Sequence, residues 1–347
     1  MKHATIIDIA RHCGTDTGTV SRILAGKAAA YRISKKRAEL VERTATELGY
    51  VPNASAQAFR TGRFGCAAML MSDDVRCSYI TPHMIYGIDD ALAERDMHLV
   101  VSKVMAVLPD AESGIPRILR KSMVDGVLIN YTHQVPEYLV DRIAERHLPM
   151  VWLNTRRDTN AVYMDNVDGA RKLTEHLVSL GHTRIDYIDP YEAPIEDEHH
   201  SRRDRVEGYT VAMHAAGLSP RIWRPTGMPG YRQEAEPLVK EVLNRPDRPT
   251  AIISYWFNCV PTIFREAASL GLRVPEDLSV TTFGPERMEG LDLRVSAMLE
   301  QTYHLGTASV EMLCQIIDGQ NEAPPSRMLP FMHLDCGTTT IAPPKRS

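Results

Sequence analysis

No stretch of these 347 residues approaches the roughly 18 consecutive apolar residues that span a bilayer, which excludes a membrane-spanning chain. The opening Met-Lys-His-Ala-Thr-Ile lacks the apolar core of a signal peptide, so a cytoplasmic location is expected. Cysteine is sparse and unpaired in spacing. The six residues at 13, 66, 77, 259, 314 and 336 form no C-x-x-C, which argues against a disulfide scaffold or zinc finger and fits reduced thiols. Neither G-x-S-x-G nor G-x-x-x-x-G-K-[ST] occurs, so the nucleophile and phosphate-binding motifs of common α/β enzymes are missing. No enzymatic activity and no cofactor are expected.

Charge is present and unevenly placed. The whole chain carries a formal −4, but residues 1–64 hold eleven Lys/Arg against five Asp/Glu. A head of +6 therefore sits on a body of −10. Such a split suits a polyanion-binding module attached to a part that stays off polyanions.

The head reads as short helices. Ile6, Ile9, Ala10 and Cys13 mark one apolar face after Thr5, and Gly14 ends that helix. Asp16 can cap a second helix from Thr17 to Leu24, with Val20, Ile23 and Leu24 inward and Thr17, Gly18, Ser21 and Arg22 outward. Two helices joined by a short Gly-containing turn have helix-turn-helix spacing. A third helix starts at Ser34, turns Ala38, Val41, Ala45 and Leu48 inward, and stops at Gly49. After Tyr50-Val51-Pro52-Asn53 a fourth, Ala54 to Arg60, is too short and too poor in apolar residues to stand alone. Its one large apolar residue is Phe59, flanked by Arg60 and Arg63: a core residue, or a wedge for the DNA minor groove.

Ile6-Ile7-Asp8-Ile9-Ala10, Gly14, Thr19-Val20-Ser21-Arg22 and Leu24, with Leu48-Gly49-Tyr50-Val51-Pro52-Asn53 and Ala56 at the right distance, resemble the head of the lactose-repressor/galactose-repressor family of bacterial transcriptional regulators. The resemblance implies that Thr17, Gly18 and Arg22 occupy base-reading positions and that Phe59 replaces a hinge-helix Leu. Thr5, Thr15, Thr19, Ser21, Asn53 and Ala56 complete the implied DNA-contact set. Three features depart from the family. Gly18 offers no side chain, so base reading falls to Arg22, which can take a guanine bidentately, and to Thr17. Asp16 stands where Ser is usual. The loop Ala25–Ile33 is about three residues longer than usual, and its Lys27, Tyr31 and Arg32 are candidates for backbone contacts.

From residue 66 short β-rich runs alternate with helical stretches. Strands are expected at 66–71, 98–101, 126–131, 150–154, 163–164, 184–189, 251–255, 278–283 and 296–299, with helices such as 82–95, 167–180, 205–216 and 303–318. That alternation means parallel sheets covered by helices, and about 280 residues suggest two lobes with a ligand crevice between them. The fold class is therefore an all-α helix-turn-helix head plus an α/β body. Asp125-Gly126-Val127-Leu128-Ile129, Asp165-Asn166-x-x-Gly169, Arg205-x-x-Gly208-Tyr209 and the run Gly271 to Val280 resemble the family's effector domain, which is periplasmic-binding-protein-like. The resemblance implies a head at 1–49, a hinge helix at 50–64 and a body at 65–347. It assigns 66–162 and 299–328 to one lobe, and 163–298 and 329–347 to the other. No heptad tail follows Pro343, so a homodimer on a pseudopalindromic double-stranded site is expected.

In the family an Arg three residues before a Gly supplies the key ligand donor, which here is Arg205; the alternative is an ordinary surface Arg. Asn154 stands where a carboxylate often sits, and Asp73 falls near a first-strand contact. Trp256 and Phe257 replace a usual Asn-Asp; they either stack on a ligand or pack between lobes. The usual Gln falls on Glu300, or on Gln301 with a one-residue slip. The implied effector is carbohydrate-like, an atypical sugar or a derivative with an aromatic or acidic group. Glu196-Asp197-Glu198-His199-His200 reads as a solvated connector, with no metal site expected. A plain periplasmic-type ligand-binding protein and an α/β enzyme are the rival readings. The basic head and the missing motifs speak against them.

Overall fold

The computed structural model describes residues 4–50, 62–74, 77–105, 123–191, 198–225, 235–284 and 294–344. The chain divides into two compact units after Phe64. The fourth helix expected at 54–60, with Asn53, Ala56 and Phe59, lies outside the described residues.

In the first unit, α1 (Ile6–Cys13) is started by a reciprocal cap. Asp8 N–H donates to Thr5 Oγ1 and the Asp8 carboxylate accepts from Thr5 N–H. Gly14 ends it in the left-handed conformation at φ 57, which a residue with a Cβ adopts only at a cost. The helix α2 (Thr17–Leu24) is capped by Asp16, whose Oδ1 accepts from Thr19 N–H at 2.8 Å while Oδ2 accepts from the Thr19 hydroxyl. The helix α3 (Lys35–Glu47) closes the set. Ile9, Ala10, Cys13, Val20, Ile23, Val41 and Ala45 form one small core.

The second unit holds two six-stranded sheets. The first contains β1 (Cys66–Ser72), β2 (His98–Val104), β3 (Gly126–Asn130), β4 (Met150–Leu153), β5 (Ala161–Met164) and β11 (Arg327–Leu329), in the order β11-β5-β4-β3-β1-β2. The second contains β6 (Ile185–Ile188), β7 (Arg221–Trp223), β8 (Ala251–Ser254), β9 (Ser279–Gly284), β10 (Ser296–Leu299) and β12 (Leu334–Asp335), in the order β12-β10-β9-β8-β6-β7. Every strand pairing is parallel except β10 with β12. The helices are α4 (Pro82–Ala93), α5 (Glu137–Glu145), α6 (Asn166–Ser179), α7 (His200–Ala215), α8 (Ala235–Leu243), α9 (Val260–Ser269) and α10 (Thr302–Ile317). Strands β3, β6, β8, β9 and β10 are buried along their whole length, as strands covered on both faces must be. Among the described residues no helix is long and apolar enough to cross a membrane.

Several details differ from the sequence reading. Tyr163 and Met164 belong to the first sheet, because β11 pairs with them as Met328↔Tyr163 and Leu329↔Met164. Leu299 belongs to the second, opposite Gly284, and Leu329, expected in the second lobe, pairs in the first sheet. The chain thus crosses between sheets at 165, at 300–301 and at 330–333. The edge strands β7, β11 and β12, two or three residues each, are too short for period-2 alternation to register. Helix α7 begins at His200, five residues before the expected Arg205, because its first turns bury His200, Ser201, Arg202, Asp204 and Arg205. A helix that buries polar residues shows no apolar period.

Candidate functional site

In the head, Thr17, Gly18 and Arg22 are exposed on α2, and Lys27, Tyr31 and Arg32 are exposed on the loop after it. Thr15, Thr19 and Ser21 are half-buried. Thr5 and Thr19 spend their hydroxyls on the capping carboxylates of Asp8 and Asp16. The two departures at Asp16 and Gly18 are one device. A Cβ built at Gly18 would stand 2.9 Å from Asp16 Oδ1, so the carboxylate that caps α2 occupies the space a side chain would need. Arg22, in the last turn of α2, lies with its guanidinium 4.5 Å from the Tyr31 ring centroid.

In the body, parallel strands bring their carboxyl ends to one edge of each sheet. Asp73, Asn154 and Asp165 follow β1, β4 and β5, and Asp189, Tyr255 and Glu300 follow β6, β8 and β10. Arg205 is only 2% exposed and joins these ends. Its Nε donates to Asn166 Oδ1, Nη1 to the Tyr255 carbonyl and Nη2 to Glu300 Oε1, each at 2.8 Å. Phe283 covers its guanidinium at 4.1 Å, with Tyr255, Trp256 and Phe331 at 5.2, 5.3 and 5.9 Å. Asn166 opens α6 after the first crossover, Glu300 is the second crossover, and Phe331 lies in the third. One side chain therefore touches all three connections between the lobes. Burial raises the Glu300 carboxyl above its usual range, against the pull of Arg205.

Gly208 explains the Arg-x-x-Gly spacing. A Cβ there would lie 2.1 Å from the Val167 carbonyl oxygen. The absent side chain lets α7 close on α6, which brings Arg205, one turn earlier, to Asn166.

The other body candidates fall in the same region with different roles. Glu300 faces Arg205, whereas Gln301 Nε2 donates to the Pro330 carbonyl and ties the second crossover to the third. Trp256 packs between lobes, edge to face with Tyr79 of the first lobe at 5.3 Å, and Phe257 rests 5.1 Å from it. Asn154 has φ 50 and a buried Oδ1 with no hydrogen-bond partner among the described residues. Asp73 is exposed at the end of β1, its N–H donating to the Val104 carbonyl.

The histidine run is packed into the body and is not the solvated connector that the sequence suggests. Glu196 and Asp197 lie outside the described residues, but Glu198 pairs with Arg202 at 3.4 Å and its side chain is 2% exposed. His199 Nε2 donates to the Asn154 carbonyl at 2.6 Å, across the lobes, while Nδ1 faces the Ser201 hydroxyl, itself 2.8 Å from Tyr255 Oη. The Ser201 N–H also donates to Nδ1, at 3.4 Å, so the ring is neutral with its proton on Nε2. His200 packs 4.2 Å from His199 and 5.7 Å from Tyr163. A second cross-lobe tie joins Arg156 to Asp204 at 3.2 Å. Among the described residues no group of three or more His, Cys, Asp or Glu is arranged to hold a metal.

Burial pulls His199 down to about 4 and lowers His200 further. Folded values below the ordinary 6.5 mean that the unfolded chain binds more protons, so this contribution is complete above about pH 6.5 and lost as pH falls towards 4. Each histidine adds up to about 1.4 kcal/mol per pH unit to that slope. Denaturant unfolding at pH 7, 6 and 5 is expected to show wild type losing stability relative to a His199→Asn/His200→Asn variant. Parallel pH dependences would show that the pair does not titrate with unfolding. His176 and His182 are lowered by burial too and are common to both proteins.

The profile of bacterial regulatory proteins of the lacI family matches residues 5–53, and that of the periplasmic binding protein-like domain matches 174–340. The chain carries a lacI-family helix-turn-helix head and a periplasmic binding protein-like domain, and its relatives are regulators of the lacI type. Among its relatives, the lactose operon repressor of Escherichia coli K12 is 27% identical over 353 residues, covering 99% of this chain and 92% of that one. The transcriptional regulator CelR of Thermobifida fusca is 25% identical, covering 93% and 94%. The fold matches the lac repressor dimer bound to operator and the anti-inducer ONPF, with TM-score 0.76 and 23% identity over 98% of this chain and 100% of that one. A CelR–cellobiose complex matches with TM-score 0.62 and 24% identity over 97% and 100%.

The lacI-family resemblance found in the sequence pointed to Arg205 but not to its partners. Asn166 was visible only as part of a matching motif, and nothing local marks Tyr255 or Phe331. Their proximity to Arg205 follows from where three crossovers meet.

Proposed function

We propose that this protein is a homodimeric, sequence-specific DNA-binding transcriptional repressor of the cytoplasm, without catalytic activity. Its hold on DNA is set by a small carbohydrate-like molecule between the lobes. The observation that carries the reading is Arg205, which ties Glu300, Asn166 and Phe331 at all three crossovers into one buried cluster. A ligand that takes over the Arg205 donors changes the contacts that fix the lobe angle. Only a ligand binding one lobe arrangement better than the other shifts DNA affinity. The relatives' names support a sugar as effector and a dimer on an operator as the DNA-bound form. The implied hinge residues Asn53, Ala56 and Phe59 would then meet in the minor groove, between two heads in successive major grooves.

Two measurements test this. Retention on duplex DNA should weaken steeply with added salt as counterions are released; failure to bind any duplex at low ionic strength would end the proposal. A thermal-shift screen of sugars, sugar acids and sugar phosphates should yield a stabilising ligand that alters DNA retention. Arg22→Ala should lose about 5- to 150-fold in discrimination at one base pair per half-site, the worth of a bidentate guanine contact. Unchanged site preference in a selection from random DNA would refute that role.

A further inference from the structure

We propose that Tyr31 is a specificity-determining positioning residue, whose ring is a shelf that holds the Arg22 guanidinium in the orientation from which it reads a base. This rests on the DNA-binding reading above and names a residue that sets its specificity. The longer loop after α2 has a defined path. Ala25 N–H donates to the Ser21 carbonyl, Gly26 to Ile23 and Lys27 to Arg22, which extends the end of the helix. The chain then closes on itself, with Tyr31 N–H donating to Lys27, Arg32 to Ala29 and Ile33 to Ala28. Arg32 takes a positive φ of 54 at the exit. Ala28 and Ile33 pack against the head core on either side of Tyr31. The segment that presents the ring is thus anchored at both ends, while the ring itself is 53% exposed and lies against the Arg22 guanidinium at 4.5 Å.

An exposed arginine ordinarily samples many rotamers, and ordering it on DNA opposes binding. A guanidinium attracted to a fixed ring arrives ordered, with its in-plane N–H fork still available for a base edge. The ion pairs among the described residues of the head, Arg11–Asp8, Lys35–Glu39 and Arg43–Glu47, leave Arg22 out. Because Asp16 fills the space over Gly18, the burden on Arg22 is large, and a device that orders it has the most to gain there. The shelf differs from a phosphate contact by the Tyr31 hydroxyl, which would tighten all sequences alike.

The experiment compares the full-length wild type, Tyr31→Phe, Tyr31→Leu and Tyr31→Gln in selection from random duplex DNA. Affinity for the selected site and salt dependence follow. Tyr31→Phe keeps the ring and should behave as wild type. Tyr31→Leu and Tyr31→Gln should lose about two- to fivefold per half-site, the size of an exposed cation–π contact, with the loss confined to the base pair that Arg22→Ala also relaxes. In an Arg22→Ala background, Tyr31→Leu should cause no further loss. Equal losses in Tyr31→Phe and Tyr31→Leu with a reduced salt slope would replace the shelf by a phosphate contact. Unchanged affinity and preference in both ring-free variants would overturn the shelf while leaving the DNA-binding reading intact. If wild type selects no sequence, both fall. Circular dichroism melts of each variant separate a lost shelf from a lost fold, and Tyr31→Gln provides the second ring-free chain.

Discussion

Arg205→Ala is expected to destabilise the body by roughly 3–5 kcal/mol, the usual cost of leaving one partner of a buried ion pair behind. Glu300, 3% exposed, would keep a carboxylate with its cation removed. Asn166 Oδ1 and the Tyr255 carbonyl would lose their donors, and the aromatic rings around the guanidinium would face a void. Arg205→Lys is not conservative, because an ammonium cannot direct three donors along the planar fork that reaches Asn166, Tyr255 and Glu300. Glu300→Gln should cost less, since an amide oxygen still accepts from Arg205 without a buried charge of its own. Urea unfolding of the isolated variants checks the order Arg205→Ala above Glu300→Gln. A loss below about 1 kcal/mol in Arg205→Ala, the value of an exposed pair, would mean that the cluster is not the structural centre described here. The effector response should disappear in the same variant, because the groups that distinguish lobe arrangements are the ones it disconnects.

Gly208→Ala is the second large effect. The new methyl would meet the Val167 carbonyl at 2.1 Å, with Arg171 N and Ala170 Cβ at 3.0 Å. These atoms belong to α6 itself, so relief requires moving a helix rather than turning a side chain. The expected cost is about 3 kcal/mol, the upper range for overpacking. The shift would also draw Arg205 away from Asn166, so a response to effector should fall with stability, whereas the head should melt as in wild type. A thermal melt within a degree of wild type would show that α6 and α7 do not need this approach.

Helix starts in the head were written locally: Thr5 with Asp8, Asp16 with Thr19 and Gly14 at the stop each act within one turn, so their chemistry appears in the order of residues. The buried central strands were legible for a similar reason, since a strand covered on both faces is a short apolar run. Helix α7 was half legible. Its later turns carry apolar residues, but its first turns bury His200, Arg202 and Arg205, and no hydrophobic period reports a polar residue that finds its partners inside. Trp256 marked the cleft as aromatic without saying whether it faced a ligand or Tyr79.

What the order of residues determined by itself was the basic head with its caps and turn, and the alternation that requires parallel sheets. These depend on neighbours within a few positions. Tertiary structure alone decided that Arg205 meets Asn166, Tyr255, Glu300 and Phe331, that His199 reaches across to Asn154, and that Tyr31 lies on Arg22. Those encounters arise where chain segments with no local signal for one another are folded together, and a buried charge is stable only where such segments supply its counter-charge and hydrogen bonds.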